Sequence, residues 1–450
     1  MARSEARATR PGAITAIPAI SWRRNLAFIW IGVFVGLLGA NFVFPFIPLY
    51  IKDLGVTDKA DVAYFTGISS SATGLSLALT APIWGSLADR YGRKPMFIRA
   101  LVGAGILIGL MGVASNVWQL VFLRFLMGAF AGTMGAAAAL VAATTPREKA
   151  ASALGTLQTG QFLANMLGPV VGGLVAASLG IRESFIFCAT LYAVAAILGY
   201  LFVKEPPLPA RESIALEMEQ PSRKGSGLIA DMRIVTSERQ VLLMLLFLFM
   251  LWLSTTFVRP VMPISIEDFG TPAAGSDEVN VRVFGFELNE PTATGILFGV
   301  IGLTSTVAAL SVAPLGRRIG FRNCVAGAAL LTGALYLPVA FAGDFISFTL
   351  LLGAVGLFQG AMVPGTNALL AVSVPDGKQG SAFGLAASMQ SLALLVGPLG
   401  GGFVSGLAGN PAVYFTIGVL LILTAVPAYL FIREPELFVT GGRAAPGGSR

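Results

Sequence analysis

The stretch Gly85-Ser86-Leu87-Ala88-Asp89-Arg90-Tyr91-Gly92-Arg93-Lys94-Pro95 stands between two long apolar runs, 62–88 and 96–114. Each residue type has a physical use at that place. Asp89 comes at a helix end, where a carboxylate pairs with Arg or faces the N-terminus of a neighbouring helix. Gly85 and Gly92 permit close approach and a tight turn. Arg90, Arg93 and Lys94 make the loop basic, and Arg93 and Lys94 keep it on the cytoplasmic side of a membrane.

Outward from this loop the chain is apolar. Of 450 residues 55% are hydrophobic and 12% charged, with mean hydropathy +0.79. A soluble domain carries about 25% charged residues, so an integral membrane protein is implied and a soluble enzyme excluded. There is no His, which removes His-based zinc sites and Ser-His or Cys-His catalysis. No metal, cofactor or enzymatic activity is expected. Cys188 and Cys324 lie in apolar runs and read as packing residues.

A spanning helix takes about 20 mostly apolar residues. Twelve such stretches follow: 25–51, 62–88, 96–114, 117–141, 150–178, 182–204, 240–266, 291–314, 322–342, 344–372, 380–407 and 411–433, spans 1 to 12. The runs are continuous, which favours helices over a barrel. The edges of these runs are soft; with the N-terminus in the cytoplasm and residues near a run's end counted to the adjoining loop, the tails and even-numbered loops hold 24 of the 30 basic residues. The outer loops hold Lys52, Lys59, Arg182 and Arg282, and the spans hold Arg124 and Arg259. The basic excess is thus a topology signature of a multi-pass cell-membrane protein with both termini inside; it does not point to nucleic acid.

Shifted by 229 positions, the halves match. Pro146 falls on Pro375, Lys149 on Lys378, Ser152 on Ser381, Gly155 on Gly384 and Gln161 on Gln390. Gly168-Pro169 falls on Gly397-Pro398, Gly172-Gly173 on Gly401-Gly402, and Glu205-Pro206 on Glu434-Pro435. The organisation read from this is a cytoplasmic tail 1–24, a six-helix bundle 25–204, a linker 205–239 with a short surface helix near 211–219, a second six-helix bundle 240–433, and a tail 434–450. Parallel repeats of this kind enclose a cavity at the membrane midplane, which rocking exposes to each side in turn. The fold class is an all-α membrane protein of two pseudo-symmetric six-helix bundles.

The loop at 85–95 resembles the signature loop of the major facilitator superfamily. That resemblance implies that Asp89 docks on the start of span 11, near Ser381, as a cytoplasmic latch. The second copy, 314–320, has Arg317 where the first has Asp89. Span 4 carries Arg124, Gly128, Gly132 and Gly135, in steps that place them on one helix face. The Arg-x-x-x-Gly spacing resembles the superfamily's fourth-helix motif, which implies proton coupling for Arg124; a snorkelling Arg beside a glycine groove is the other reading. Gly160, Gly168, Pro169, Gly172 and Gly173 in span 5 resemble the Gly-Pro motif of the superfamily's drug antiporters. Close helix packing alone also accounts for them. Trp22 to Leu26 and Pro45 to Tyr50 resemble the twelve-helix drug:proton antiporter group, as in bacterial multidrug efflux transporters.

Gln158, Gln161 and Asn165 share a face of span 5 and, with Gln390, line either an interface or a wet cavity. Asn41 and Phe34 of span 1 and Trp252 of span 7 join them as candidate cavity residues. Arg259 reads as an interface anchor. The outer stretch 267–290 is acidic, either a solvated loop or, from weak alternation over Val281 to Phe286, a small hairpin. The function expected is efflux of amphipathic or lipophilic small molecules by a monomer in the bilayer, with protons as coupling ion. Counted with the same soft edges, the partition leaves no acid inside a span, so Asp89, Asp61, Glu267 and Asp268, all at helix ends, are the candidate proton carriers beside Arg124; a misplaced span boundary and transport without protons are the other readings. A metabolite uniporter or symporter keeps the fold with another role, and a non-transporting sensor or membrane enzyme is the reading of another class.

Overall fold

A computed structural model describes residues 21–205, 239–272, 279–283, 285–374 and 379–432. The tails and most of the linker, including the expected surface helix near 211–219, lie outside the described residues. Span 1 is α1 (Trp22–Val43), a 3-10 turn at Phe44–Phe46, and α2 (Ile47–Asp53). Spans 2 and 3 are α3 (Lys59–Tyr91) and α4 (Arg93–Gly112). Span 4 is α5 (Val117–Phe130) and α6 (Thr133–Thr144), and spans 5 and 6 are α7 (Arg147–Leu179) and α8 (Ile181–Phe202). Span 7 is α9 (Arg239–Val258) and α10 (Met262–Ile266). Spans 8 to 12 are α11 (Glu290–Ile319), α12 (Phe321–Val339), α13 (Phe345–Ser373), α14 (Gln379–Ala408) and α15 (Asn410–Phe431). Eleven of these spans are long and apolar enough to cross a membrane by length and composition. The remaining one, α12, starts with polar Arg322 and Asn323 and sits against α13 and α15.

Each half has its own apolar core. One runs from Ile29 through Phe97 and Tyr192 to Val203, with Ile264 crossing over from the second half. The other runs from Val241 through Tyr336 and Tyr414 to Ile432. Since lipid is as apolar as these side chains, close van der Waals contact and satisfied polar groups hold the helices together.

The duplication is visible in the helix ends. Asp58, Asn116, Asn289 and Asp344 cap spans 2, 4, 8 and 10, each side chain accepting from backbone N–H groups of the first turn. All four lie on the face away from Trp22 and Phe431, below called the distal face; the face of those two helix ends is the terminal face. The backbone N–H and hydroxyl of Ser347 hold the exposed Asp344 carboxyl below its ordinary pKa. Gly92 and Gly320 end spans 2 and 8, and Gly180 and Gly409 end spans 5 and 11, all with positive φ. A side chain there would be strained, so glycine recurs in both halves.

One expectation fails. Arg124, Gly128, Gly132 and Gly135 do not lie on one continuous helix face. Gly132 adopts φ +110 and ψ +15, and the ladder breaks between α5 and α6. A left-handed residue cannot continue a right-handed helix, so the steps of four lose their register there. The acidic distal stretch contains a small antiparallel sheet. Its strands are β1 (Thr271–Pro272), β2 (Val279–Val283) and β3 (Phe286–Asn289), with Val281 paired to Leu288. Val281 is buried, so the alternation does have an inner face.

Candidate functional site

Two spans break at corresponding places. In span 1 Pro45 falls in the 3-10 turn and Pro48 at the start of α2. In span 7 Arg259 and Pro260 form the turn between α9 and α10. Irregular backbone at membrane depth is tolerated where it is enclosed by protein or lines a cavity. Both breaks meet at Phe44. The guanidinium carbon of Arg124 lies 5.1 Å from its ring centroid and that of Arg259 4.7 Å. Arg124 is 4% exposed, and its Nε has no hydrogen-bond partner among the described residues. Arg259 donates to Asn41 Oδ1 at 3.3 Å. Asn41 Nδ2 in turn donates to Asn165 Oδ1 at 2.9 Å and to the Leu37 carbonyl at 2.8 Å. Arg259 is therefore not a peripheral anchor: it joins spans 1 and 7 beside Arg124. Its signal in the sequence was the adjacent Pro260, which stops the helix and turns the side chain inward.

Below this cluster α1 presents Trp30, Phe34 and Asn41 along one face. Trp30 and Phe34 stack at 5.3 Å, and Trp30 Nε1 donates to Thr159 Oγ1 at 3.0 Å. Gly160 lies under Trp30: a Cβ there would stand 3.1 Å from the indole nitrogen. Gln158 and Gln390 are exposed, Gln161 and Trp252 half-buried. Gln359 was not anticipated. It donates to Ser254 Oγ at 3.1 Å and Thr255 Oγ1 at 2.9 Å, linking spans 10 and 7. An amide in the apolar run of span 10 was the available sign.

The Gly-Pro segments of spans 5 and 11 do the same work in each half. A Cβ on Gly168 would stand 2.8 Å from Asn41 Cβ, and one on Gly172 2.6 Å from the Phe42 carbonyl, so span 5 lies on span 1. Gly397 and Gly401 bring span 11 onto Thr256 and Phe257 of span 7 in the same way. The next glycines face the other half. A Cβ on Gly173 would meet the Pro291 carbonyl at 2.8 Å and Gly295 Cα at 2.9 Å in span 8. One on Gly402 would meet the Ala63 carbonyl at 2.6 Å in span 2. Pro169 and Pro398 lie inside their helices, beside these contacts. Gly155 and Gly384, symmetry mates nearer the terminal face, have no atom of the described residues within 4 Å of such a Cβ.

Charge closes the distal face over the same seam. Lys52 pairs with Glu267 and lies 3.6 Å from Glu290. Lys59 bonds Asp268 at 2.8 Å and reaches Glu267 at 3.8 Å. Both cations belong to the first half and all three acids to the second. A cavity of about 740 Å³ lies beside this lattice, lined by Lys52, Lys59, Glu267, Asn289 and Glu290 among others. Asp61 is exposed and has no ion pair among the described residues.

The loop at 85–95 is tied into its own half. The Glu205 carboxylate accepts from the backbone N–H of Arg93 at 2.8 Å and of Lys94 at 3.0 Å, stabilising the start of α4. Arg93 donates to the Ala139 carbonyl at 3.0 Å and Lys94 to the Tyr200 carbonyl at 2.7 Å. Arg90 lies over Tyr91 at 5.3 Å. The surroundings of Gly85 and the side chains of Asp89 and Ser381, and hence the latch contact, lie outside what the structure describes. Glu205 was visible in the sequence only as half of the repeated Glu-Pro pair. Arg99 was missed as a depth charge: it lies 3.4 Å over the Trp84 ring inside the first half.

Comparison with known proteins agrees with this geometry. The Major Facilitator Superfamily profile matches residues 29–279 and 244–446. The multidrug resistance protein MdtG of Enterobacter lignolyticus is 32% identical over 429 residues, covering 95% of both chains. The multi-drug resistance efflux pump PmrA of Streptococcus pneumoniae is 33% identical over 399 residues, 88% of this chain and 93% of that one. Among solved structures, the human organic anion transporter MFSD10 superposes with TM-score 0.64 at 19% identity, over 91% of this chain and 99% of its own. A POT family transporter superposes with TM-score 0.71 at 13% identity, over 92% and 98%. Profile, relatives and fold meet in one conclusion: the chain is a multi-pass membrane transporter that belongs to the major facilitator superfamily.

Proposed function

We propose that this chain exports amphipathic or lipophilic small molecules from the cell, driven by inward proton flow, with both termini in the cytoplasm. One observation carries the reading. Among the described residues, the ion pairs and glycine crossings between the halves lie from mid-helix to the distal face, whereas a Cβ on Gly155 or Gly384 toward the terminal face meets nothing within 4 Å. This is the inward-open member of an alternating pair, with the distal, outer face closed. The bundles 25–204 and 240–433 rock about the seam, and the linker 205–239 holds them together. A monomer suffices for this movement. The bacterial efflux proteins that resemble the chain over nearly its whole length support export as the direction.

Substrate entering from the cytoplasm meets the Trp30–Phe34 face first and the amides Asn41 and Asn165 deeper in, with Gln158, Gln161, Gln390 and Trp252 around it. Such a surface binds broadly, because few of its contacts are directional. Protons act at the outer lattice. Protonating Glu267, Asp268 or Glu290 removes a charge that holds Lys52 or Lys59, and the outer face is released. Asp89 and the loop residues Arg90, Arg93 and Lys94 latch the cytoplasmic face in the opposite state, and Arg124 transmits the change. Proteoliposomes with an imposed pH gradient test coupling. Efflux accelerated by the gradient and abolished by a protonophore is expected; equal rates with and without the gradient would defeat it.

A further inference from the structure

Arg124 comes from the first half and Arg259 from the second, and both guanidinium groups press on the Phe44 ring. Neither has an acidic partner among the described residues. Arg124 leaves its buried Nε unbonded, and Arg259 finds the one amide oxygen of Asn41. Two cations withdrawn from water so close together repel each other and lose hydration. Cation–π contact with a single ring offsets a fraction of that. What the site lacks is negative charge.

We propose that Arg124 and Arg259, the two cations gathered on Phe44, together bind an anionic group, and that the molecules exported include organic anions with a carboxylate on an apolar body. This names a substrate class within the export reading and rests on it. The surroundings fit such a molecule. Spans 1 and 7 are broken where the cations meet Phe44, as in transporters whose discontinuous helices frame a site. From Asn41 back to Phe34 the face of α1 descends about 10 Å, the length of a small apolar body. The carboxylate takes the two guanidinium groups, and the body lies on Phe34 and Trp30. Because each half supplies one cation, the anion bridges the halves. Separating them on the outer side parts the two cations, weakens the anion's hold and favours release.

The test is a titration of the full-length protein in nanodiscs with three probes: 1-pyrenebutyrate, its methyl ester, and a pyrenebutyl-trimethylammonium ion. Wild type is expected to bind the butyrate at least about tenfold more tightly than the ester. Arg124→Gln and Arg259→Gln should each bring that ratio close to one, while Arg124→Lys and Arg259→Lys retain most of it. Retention in the Lys variants separates loss of charge from loss of fold. Competition by sodium chloride against the butyrate supports the site as one for anions generally. Chloride protection that both Gln variants lose, without any butyrate preference, overturns the substrate class and leaves an inorganic anion. Equal or weaker binding of the butyrate in wild type, no binding of any probe, or a preference that survives both Gln changes overturns the proposal. Flux of the three probes from proteoliposomes keeps the two readings apart. Flux with no butyrate preference removes this inference alone; a butyrate preference with no flux of any probe removes export.

Discussion

Lys52 concentrates the distal closure in one side chain. Its side chain is 26% exposed and that of Glu267 9%, so their pair stands between the exposed and buried limits. Lys52→Ala leaves Glu267 only the more distant Lys59, 3.8 Å away, and weakens the closed distal face by about 1–2 kcal/mol. In a variant with its native cysteines replaced and Thr57→Cys added, an impermeant maleimide should react several-fold faster when Lys52 is removed. Lys52→Arg, which keeps the charge, should retain the slower rate; no acceleration by Lys52→Ala would take the pair out of the gate. Gly132 is a second single-residue test. Its φ of +110 suits glycine, and Gly132→Ala should cost about 1–2 kcal/mol, read as a lower Tm in detergent. An unchanged Tm would mean that the break in span 4 is not fixed by this residue.

At the scale of the helix, the contrast between Gly173 and Gly155 is decisive. A methyl on Gly173 meets backbone of span 8, which has no rotamer to yield, so Gly173→Ala should overpack the seam by about 1–3 kcal/mol and slow transport. Gly155→Ala, facing open space, should leave the rate near wild type. Equal transport rates in the two variants would break the link between the seam and function. The same contrast shows what the sequence made legible. Twelve spans, the repeat and the Gly-Pro segments could be read directly, because hydropathy and matched Pro and Gly survive without coordinates. The paired breaks at Phe44 and Arg259 could not. A proline in a lipid-embedded helix is tolerated wherever neighbours satisfy the freed backbone groups, so Pro45 and Pro260 marked a break without saying what met there. The run from Arg124 to Gly135 misled for a related reason: spacing describes a helix only while the helix continues, and Gly132 ends it. The bonds of Glu205 to α4 and of Gln359 to span 7 are long-range, and no local pattern encodes them.

For the whole molecule, function follows from a seam that is closed on one face. Near-identical machinery in the two halves makes the alternative closure cheap to reach: Gly172 and Gly401 fix each half internally, while Gly173 and Gly402 touch across it. The charges do not share that symmetry. The distal lattice sets first-half lysines against second-half acids, and Asp89 has no acidic counterpart in the second copy. In the proposed export cycle, two different locks on one symmetric hinge give the proton and the substrate separate places to act. The most direct measurement is a pair of spin-label distances in the reconstituted protein. One pair, Gly155→Cys with Gly384→Cys, reports the terminal face; the other, Thr57→Cys with Phe286→Cys, reports the distal face. Lowering the pH on the distal side should shorten the first distance and lengthen the second together. If both distances stay fixed, or both lengthen, the halves do not exchange access across the seam and the account is wrong.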